Sequence, residues 1–342
     1  MTAHSVRSRG EPLPDPLRDG AVVETSGSTG SPKRVVLSAA AFRAAAEAAA
    51  AELGRRGRWV LALPTHYVAG LNVLARAAFM GTEPIVAVGG PRFSAMGFAA
   101  VTLGVDGPLY TSLVPIQLQR LLDSVPGADA LRRFDRVLLG GQAPDPALLR
   151  RARAEGVHVT VTYGSSETCG GILWDGRPIG EARHLLVDGV VHLGGPMLAD
   201  GYLDDPERTA AAFPVIDGER WHRTNDVGEE RAGRLVVLGR LDDVIVSGGV
   251  KVSLAEVEFA ARSFGLADAV AVALDREGWG QAPGVVATAG ADLDLEALRA
   301  HVAANLGPAA RPVAFRRVPE IPMLASGKPD RAAIRALLDA AE

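Results

Sequence analysis

Apolar residues recur along this chain in two alternating rhythms. Short runs, "AVVET" (21–25), "RVVLS" (34–38), "WVLALP" (59–64), "EPIVAVG" (83–89), "GPLYTS" (107–112), "DRVLLGG" (135–141) and "VHVTVTYG" (157–164), have the length and β-branched content of strands. Around 68–80, 113–124 and 146–155 the apolar positions recur at helical spacing instead, and Ser38 is placed to cap an alanine-rich helix running to about Leu53. The alternation predicts an α/β sheet covered by helices. "HLLVDGVVHL" (184–193) differs, with two apolar runs around Asp188-Gly189 that form a type I′ hairpin signal. Asp205-Pro206 has the form of a helix start, Asp205 capping and Pro206 in the first turn. The large N-terminal part is therefore expected to carry a β-hairpin-rich region beside its α/β sheet.

After "RLVVLGR" (234–240) the texture changes. Ser253 and Glu256 form a capping box, followed by strands over 268–274 and 283–289, a helix over about 294–305, a strand over 312–318 and a helix over about 330–340. A small α+β domain is expected here. The boundary near Arg240–Asp242 gives domains 1–239 and 240–342.

Composition narrows the class. With 48% hydrophobic and 22% charged residues in 342, the chain is long enough for a large core and is not of disordered type. A net charge of −4 supplies no basic field for nucleic acid. No apolar run approaches the ~20 residues of a membrane span, and the first residues lack a signal-peptide core. The single cysteine, Cys169, rules out an internal disulfide and fits a reducing cytoplasm, the expected location. Only three of the 36 basic residues are lysine (Lys33, Lys251 and Lys328), which suggests positions needing a compact point charge.

Several polar segments have chemistry to offer. "TSGSTGSPK" (25–33) supplies backbone N–H groups, the hydroxyls of Ser28 and Thr29 and the Lys33 ammonium. It could close over a polyphosphate or be a plain turn, and Pro32 before Lys33 with a following strand is not the Walker arrangement. In "VTYGSSETCGG" (161–171), Tyr163 can stack on a base and Glu167 can hold Mg²⁺ against phosphate. The alternative is a helix start with an acidic first turn. "GGQAP" (140–144) would let a backbone approach a flat ring at Gly140 and Gly141. Asp226, read as lying in a polar turn before a hairpin, could bind a ribose or simply shape the turn. Arg240 can reach a phosphate, Asp242 sits at the natural pivot, and Gly248-Gly249 offer a surface for a thin ligand. No G-x-S-x-G, zinc spacing or dinucleotide fingerprint occurs.

Taken in order, "TSGSTGSPK", "YGSSE", "GYLDDPERTAAAF" (201–213), "TND", "GRLDD…SGG…EVE" and "SGKPDR" span residues 25–331. In this order they resemble the adenylate-forming superfamily of acyl-CoA synthetases. The resemblance implies two steps: a carboxylate attacks the α-phosphate of ATP, releasing pyrophosphate, and CoA thiol then displaces AMP. It implies that Ser28, Thr29 and Lys33 lie on a phosphate loop, and that Gly140, Gly141, Tyr163 and Gly164 line the nucleotide. Glu167 would bind Mg²⁺ with Ser166 beside it, where the family usually has threonine. Asp226 would bind ribose and Arg240 a hydroxyl or phosphate. Lys328 would bridge the carboxylate and α-phosphate, Asp242 would be the hinge, and Gly248-Gly249 would face CoA. Two departures stand out: only 24 residues precede the phosphate loop, and Asn225 replaces a usual glycine.

In "LPTHYVAGLNVL" (63–74), His66, Tyr67 and Gly70 fall where the family walls its acyl pocket, with Tyr67 in place of a usual histidine. The chain's shortness and the wording "LPTHYVAGL" and "YGSSETCGG" are most similar to the o-succinylbenzoate–CoA ligases of menaquinone biosynthesis. Their substrate is an aromatic dicarboxylate, whose spare carboxylate a hydroxyl, His66 or an arginine would neutralise. Partners would be small molecules (the acid, ATP and CoA), with a homodimer left open. Alternatives are a ligase for another aryl or short acyl acid, a domain loading a carrier protein, and a non-catalytic adenylate-binding module.

Overall fold

The computed structural model describes residues 13–25, 33–87, 93–266, 268–288, 294–324 and 329–339, with Asp242 described by its backbone alone. The chain divides into two compact units. The first takes the residues up to Thr224 with Glu230–Leu235; the second takes Asn225–Glu229 and the residues from Val236 on.

In the first unit, strands Ile85–Val86, Arg58–Leu61, Leu109–Leu113, Arg136–Leu139 and Val159–Ser165 lie parallel in that spatial order. Gly170–Trp174 and Arg177–Pro178 continue the sheet antiparallel. Parallel strands are covered on both faces, so they need no alternation of apolar and polar positions; every residue of Leu109–Leu113 is buried, Thr111 and Ser112 included. Helices Val68–Phe79, Pro115–Leu122 and Pro146–Ala154 fall where the periodicity predicted them.

Helix Ala39–Leu53 begins at Ser38, whose hydroxyl accepts from the Ala41 N–H at 3.2 Å, and it buries Ala41, Phe42, Ala45, Ala46, Ala48 and Ala49. A separate antiparallel sheet joins Ala21–Thr25, Lys33–Leu37 and Gly201–Tyr202. The expected hairpin pairs Arg183–Val187 with Val190–Gly194, and Asp188 and Gly189 take φ of 51° and 78°, the two left-handed residues that a type I′ turn requires. Asp205 caps helix Pro206–Ala212.

Three expectations change. Of the strand expected over 83–89, the described residues, which end at Ala87, form strand at Ile85–Val86, an edge position where Val86 is exposed. Helices Ala95–Thr102 and Val125–Leu131 were not anticipated. In the second of these, Pro126 sits in the first helical turn, where no N–H is missed. Asp226 lies not in a turn but inside the strand Glu219–Arg231, which pairs with Arg234–Arg240. Polar residues on its outward positions hid the strand periodicity.

The second unit is α+β. Its sheet runs Val250–Ser253, Val244–Ser247, Gly280–Ala287, Val270–Arg276, with Ala314–Arg317 parallel to Gly280–Ala287. Helices Leu254–Ser263 and Leu295–Leu306 share one core with Ile245, Ala271 and Val285. Helix Arg331–Asp339 covers the other face through Ile334 and Leu338 against Val272, Leu274 and Val286. Among the described residues, no helix is long and apolar enough to cross a membrane.

Candidate functional site

The first unit gathers a cation, a phenol and a carboxylate. Lys33 opens the strand Lys33–Leu37, opposite Thr25. The segment between them, with Ser28 and Thr29, lies outside the described residues. Tyr202 pairs with Val35 on the neighbouring strand, and the Lys33 ammonium stands 5.5 Å from its ring centroid. The Tyr202 hydroxyl donates to Glu167 Oε1 at 2.8 Å. Tyr202 went unassigned in the sequence, although "GYLDDPERTAAAF" contained it.

Glu167 sits in the turn Ser166–Thr168 at the end of strand Val159–Ser165. That turn is held by the Ser165 N–H donating to Thr168 Oγ1 (2.9 Å), by Thr168 Oγ1 donating to Gly170 O (2.8 Å), and by the Ala199 N–H donating to Glu167 O (2.8 Å). Burial pushes the Glu167 carboxyl up. His222, the Tyr202 hydroxyl, its own backbone N–H and the Ser165 hydroxyl outweigh that and hold it below the usual range. Burial and the Glu167 charge push the Tyr202 phenol upward, so it stays a donor. Among the described residues, no group of three or more His, Cys, Asp or Glu could hold a metal. One buried, ionised carboxylate nevertheless suits Mg²⁺ that takes its other ligands from substrate phosphates and water.

Gly140 and Gly141 directly follow the strand Arg136–Leu139, and Tyr163 and Gly164 end its parallel neighbour. The two pairs therefore emerge together at the carboxyl edge of the sheet, where open α/β sheets bind ligands. Ser166 follows on the same segment. Asp226 and Arg240 belong to the second unit and face each other across paired strands, Arg240 Nη1 lying 3.6 Å from Asp226 Oδ1. Asp242 lies in the turn Leu241–Asp243.

Gly248 and Gly249 make the turn between Val244–Ser247 and Val250–Ser253. Gly248 has φ +55°, and a Cβ there would come 2.5 Å from the Trp279 ring. The Gly248 N–H donates to Trp279 O (3.1 Å) and Trp279 Nε1 to Ser247 Oγ (3.1 Å), which fixes the half-exposed indole against the glycine turn. Lys251 is exposed on the same hairpin. Lys328 lies outside the described residues.

His66 is exposed with its ring 4.1 Å from that of Tyr67, which precedes helix Val68–Phe79; Gly70 is buried in the first turns of that helix. The same helix carries a feature the sequence reading missed. Arg76 is buried, its guanidinium 5.2 Å from the Trp59 ring centroid, with Nη1 donating to Ser112 Oγ at a long 3.4 Å. Among the described residues its Nε has no hydrogen-bond partner and no carboxylate pairs with it, and burial lowers its pKa to about 10. One turn earlier, Asn72 Nδ2 donates to Cys169 O at 2.7 Å. Burial pushes the Cys169 thiol up to about 12, so it is neutral and no nucleophile.

The profile of the family described as "AMP-binding enzyme" matches residues 14–203, and that of the "AMP-binding enzyme C-terminal domain" matches residues 258–328. A protein of Mycobacterium tuberculosis (strain H37Rv) named "Probable 2-succinylbenzoate--CoA ligase" is 39% identical over 329 residues, covering 92% of this chain and 83% of its own. The o-succinylbenzoate CoA synthetase of Bacillus subtilis, solved with the acyl-adenylate OSB-AMP, superposes with a TM-score of 0.78 at 25% identity, covering 94% of this chain and 70% of that one. The amide bond synthetase McbA from Marinactinospora thermotolerans gives a TM-score of 0.78 at 27% identity, covering 98% and 72%.

Proposed function

Since the chain belongs to the AMP-binding enzyme family, we propose that it activates o-succinylbenzoate with ATP through an acyl-adenylate and passes the acyl group to CoA. One observation carries the choice of substrate: among the described residues Arg76 is a buried cation with no carboxylate partner, on the helix that begins beside Tyr67 and Gly70. A mono-acid substrate would leave that charge uncompensated. An aromatic dicarboxylate supplies one carboxylate to react and another to pair with Arg76.

In this reading Lys33, with Ser28 and Thr29, holds the β- and γ-phosphates, and Tyr202 keeps the Lys33 and Glu167 side chains in register. Mg²⁺ bound at Glu167 would neutralise phosphate charge. Gly140, Gly141, Tyr163 and Gly164 receive the adenine, and Asp226 and Arg240 the ribose and its neighbouring groups. Lys328 brings a point charge to the carboxylate and α-phosphate as negative charge concentrates there. Asp242 then acts as the pivot about which the second unit exchanges Lys328 for the Gly248-Gly249 turn, and Trp279 gives that turn a flat apolar face for the thiol-bearing arm of CoA.

The likeness to an amide bond synthetase favours one second reading, discharge of the adenylate to an amine. ATP–pyrophosphate exchange tests the first step: exchange with o-succinylbenzoate far above that with benzoate is expected, and equal rates would end the substrate assignment. Supplying CoA and a primary amine together, and identifying the product, separates thioester from amide formation.

A further inference from the structure

Within the first unit, Asn72 is buried on the helix Val68–Phe79, and its amide nitrogen joins two elements. Nδ2 donates to Val68 O at 3.1 Å on its own helix and to Cys169 O at 2.7 Å, 97 residues further along the chain. Both neighbours are carbonyl oxygens, which only accept, so the nitrogen must face them and the orientation of the amide is fixed. Its Oδ1 is then left buried with no hydrogen-bond partner among the described residues. An oxygen placed so costs stability. Leucine, branched at the same carbon, would avoid that cost on a helix whose buried positions are mostly apolar or small.

The carbonyl that Asn72 holds ends the turn that presents Glu167. After Ser166–Thr168 the chain passes through two successive left-handed residues, Cys169 at φ +51° and Gly170 at φ +89°. The first carries a side chain in a region that L residues disfavour, so its surroundings must keep it there. Three bonds do so: the Cys169 N–H donates to Ser166 O at 3.1 Å, Thr168 Oγ1 donates to Gly170 O at 2.8 Å, and Asn72 donates to Cys169 O. Of these three, the Asn72 bond alone comes from outside the turn. The packing is close, since a Cβ on Gly170 would come 2.8 Å from Asn72 Nδ2. One turn after Asn72 the same helix carries Arg76.

We infer that Asn72 is a positioning residue for Glu167: it pins the turn bearing that carboxylate to the helix bearing Arg76, and so sets the spacing between the Mg²⁺–phosphate end and the acyl end of one site. The inference rests on the roles proposed above for Glu167 and Arg76. Asn72 acts through the backbone of the turn rather than on a substrate. Without its donor, Cys169 O loses its one outside partner, the left-handed turn relaxes, and Glu167 leaves its place. Arg76 belongs to the helix itself and stays where it is.

The test compares two variants with the unmodified full-length protein: Asn72→Leu, which keeps the branching and loses the donor, and the milder Asn72→Ser, which leaves room for a water at Cys169 O. Amide hydrogen exchange reads the pin without any substrate. The reporters are Cys169 and Ala199, whose N–H groups donate to Ser166 O and Glu167 O. Exchange at both should rise at least about tenfold in Asn72→Leu, and less in Asn72→Ser, while Val60 and Leu138 in the parallel sheet stay protected. In ATP–pyrophosphate exchange, the Mg²⁺ concentration giving half the maximal rate should rise at least about fivefold and kcat should fall at least about tenfold, with the KM for o-succinylbenzoate within about twofold. A purely structural role would lower the folded fraction and leave the Mg²⁺ requirement of the folded enzyme alone. Unchanged hydrogen exchange at both reporters would overturn the inference, as would an unchanged Mg²⁺ requirement or an equal loss in the KM for the acid. Should Asn72→Leu fail to fold, Asn72→Ser decides by the same readouts. If the unmodified enzyme showed no pyrophosphate exchange with o-succinylbenzoate, the substrate reading would fall. Hydrogen exchange would still judge the pin, beside calorimetric titration of ATP at limiting Mg²⁺, where Asn72→Leu should bind at least about fivefold more weakly.

Discussion

Replacing Arg76 with methionine should move stability and substrate selectivity in opposite directions. Burial lowers the guanidinium from its ordinary 12.5 to about 10, a bias of about 3 kcal/mol against the charged form. Two contacts offset part of this. The Trp59 ring face at 5.2 Å contributes about 1–2 kcal/mol where water is excluded, and the stretched Ser112 bond contributes less than about 1 kcal/mol. The folded chain therefore holds this cation at little or no gain, and methionine fills most of the same volume without a charge. The pH dependence follows from the direction of the shift. Below the lowered value both folded and unfolded chains carry the proton, so the penalty is fully present, and it is relieved only as pH rises above about 10.

Urea unfolding at neutral pH should accordingly find Arg76→Met unchanged or more stable by about 1 kcal/mol. The substrate should report the reverse. A carboxylate paired with a buried guanidinium and then deprived of it loses about 3 kcal/mol or more, about a hundredfold in kcat/KM for o-succinylbenzoate. Benzoate, with no second carboxylate, should be nearly unaffected or improved. The assay is ATP–pyrophosphate exchange with both acids, run beside unfolding on the same preparations. A variant destabilised by more than about 2 kcal/mol, with its preference for the dicarboxylate intact, would refute the reasoning and make Arg76 a structural residue.

Tyr202→Phe keeps the ring beside Lys33 and removes the donor to Glu167. Leaving that buried carboxylate short of a partner costs about 1–3 kcal/mol, so adenylate formation should fall about ten- to hundredfold while thioester formation from preformed adenylate changes little. A normal first step would show the hydroxyl to be dispensable. Gly248→Ala places a Cβ 2.5 Å from the Trp279 ring at φ +55° and should cost about 1–3 kcal/mol. The thioester half-reaction should suffer more than adenylation, and a Trp279→Ala background should recover the steric share in a double-mutant cycle. Burial raises the Glu258 carboxyl despite Arg331, so the folded state binds that proton more tightly than the unfolded one. Stability from this group is present below the ordinary glutamate range and is lost as pH rises through the raised value. Glu258→Gln should flatten that decline in a pH series of unfolding curves; a parallel curve would count against it.

What the sequence made legible was what neighbours along the chain decide. Ser38, Asp188-Gly189, Asp205-Pro206 and Ser253 state their caps and turns within four residues, and the structure has each of them. The parallel strands announce themselves because burial on both faces keeps charged residues out of their middles and leaves mainly apolar and hydroxyl side chains. Asp226 was misread because the strand Glu219–Arg231 mixes exposed charges with buried Trp221, His222 and Thr224, and its identity as a strand comes from pairing rather than from its own pattern.

The site residues that escaped notice share one cause, since each acquires its role from a partner far away in sequence. Tyr202 is an ordinary aromatic after a glycine until sheet pairing with Val35 sets it beside Lys33, and the turn after Val159–Ser165 brings it Glu167. Arg76 did leave a trace. It stands four residues after Asn72 in "LNVLARAAF", two polar groups on one face of a helix otherwise built from apolar and small residues. That spacing shows that both groups point the same way, though not whether into solvent or core. Here they point inward, Asn72 onto Cys169 O and Arg76 onto the Trp59 ring and Ser112. An inward pair that includes an uncompensated cation costs stability, and a fold keeps such a group where a ligand supplies the missing charge. The burial that makes Arg76 a poor contributor to folding is what would make it an effective selector for a second carboxylate.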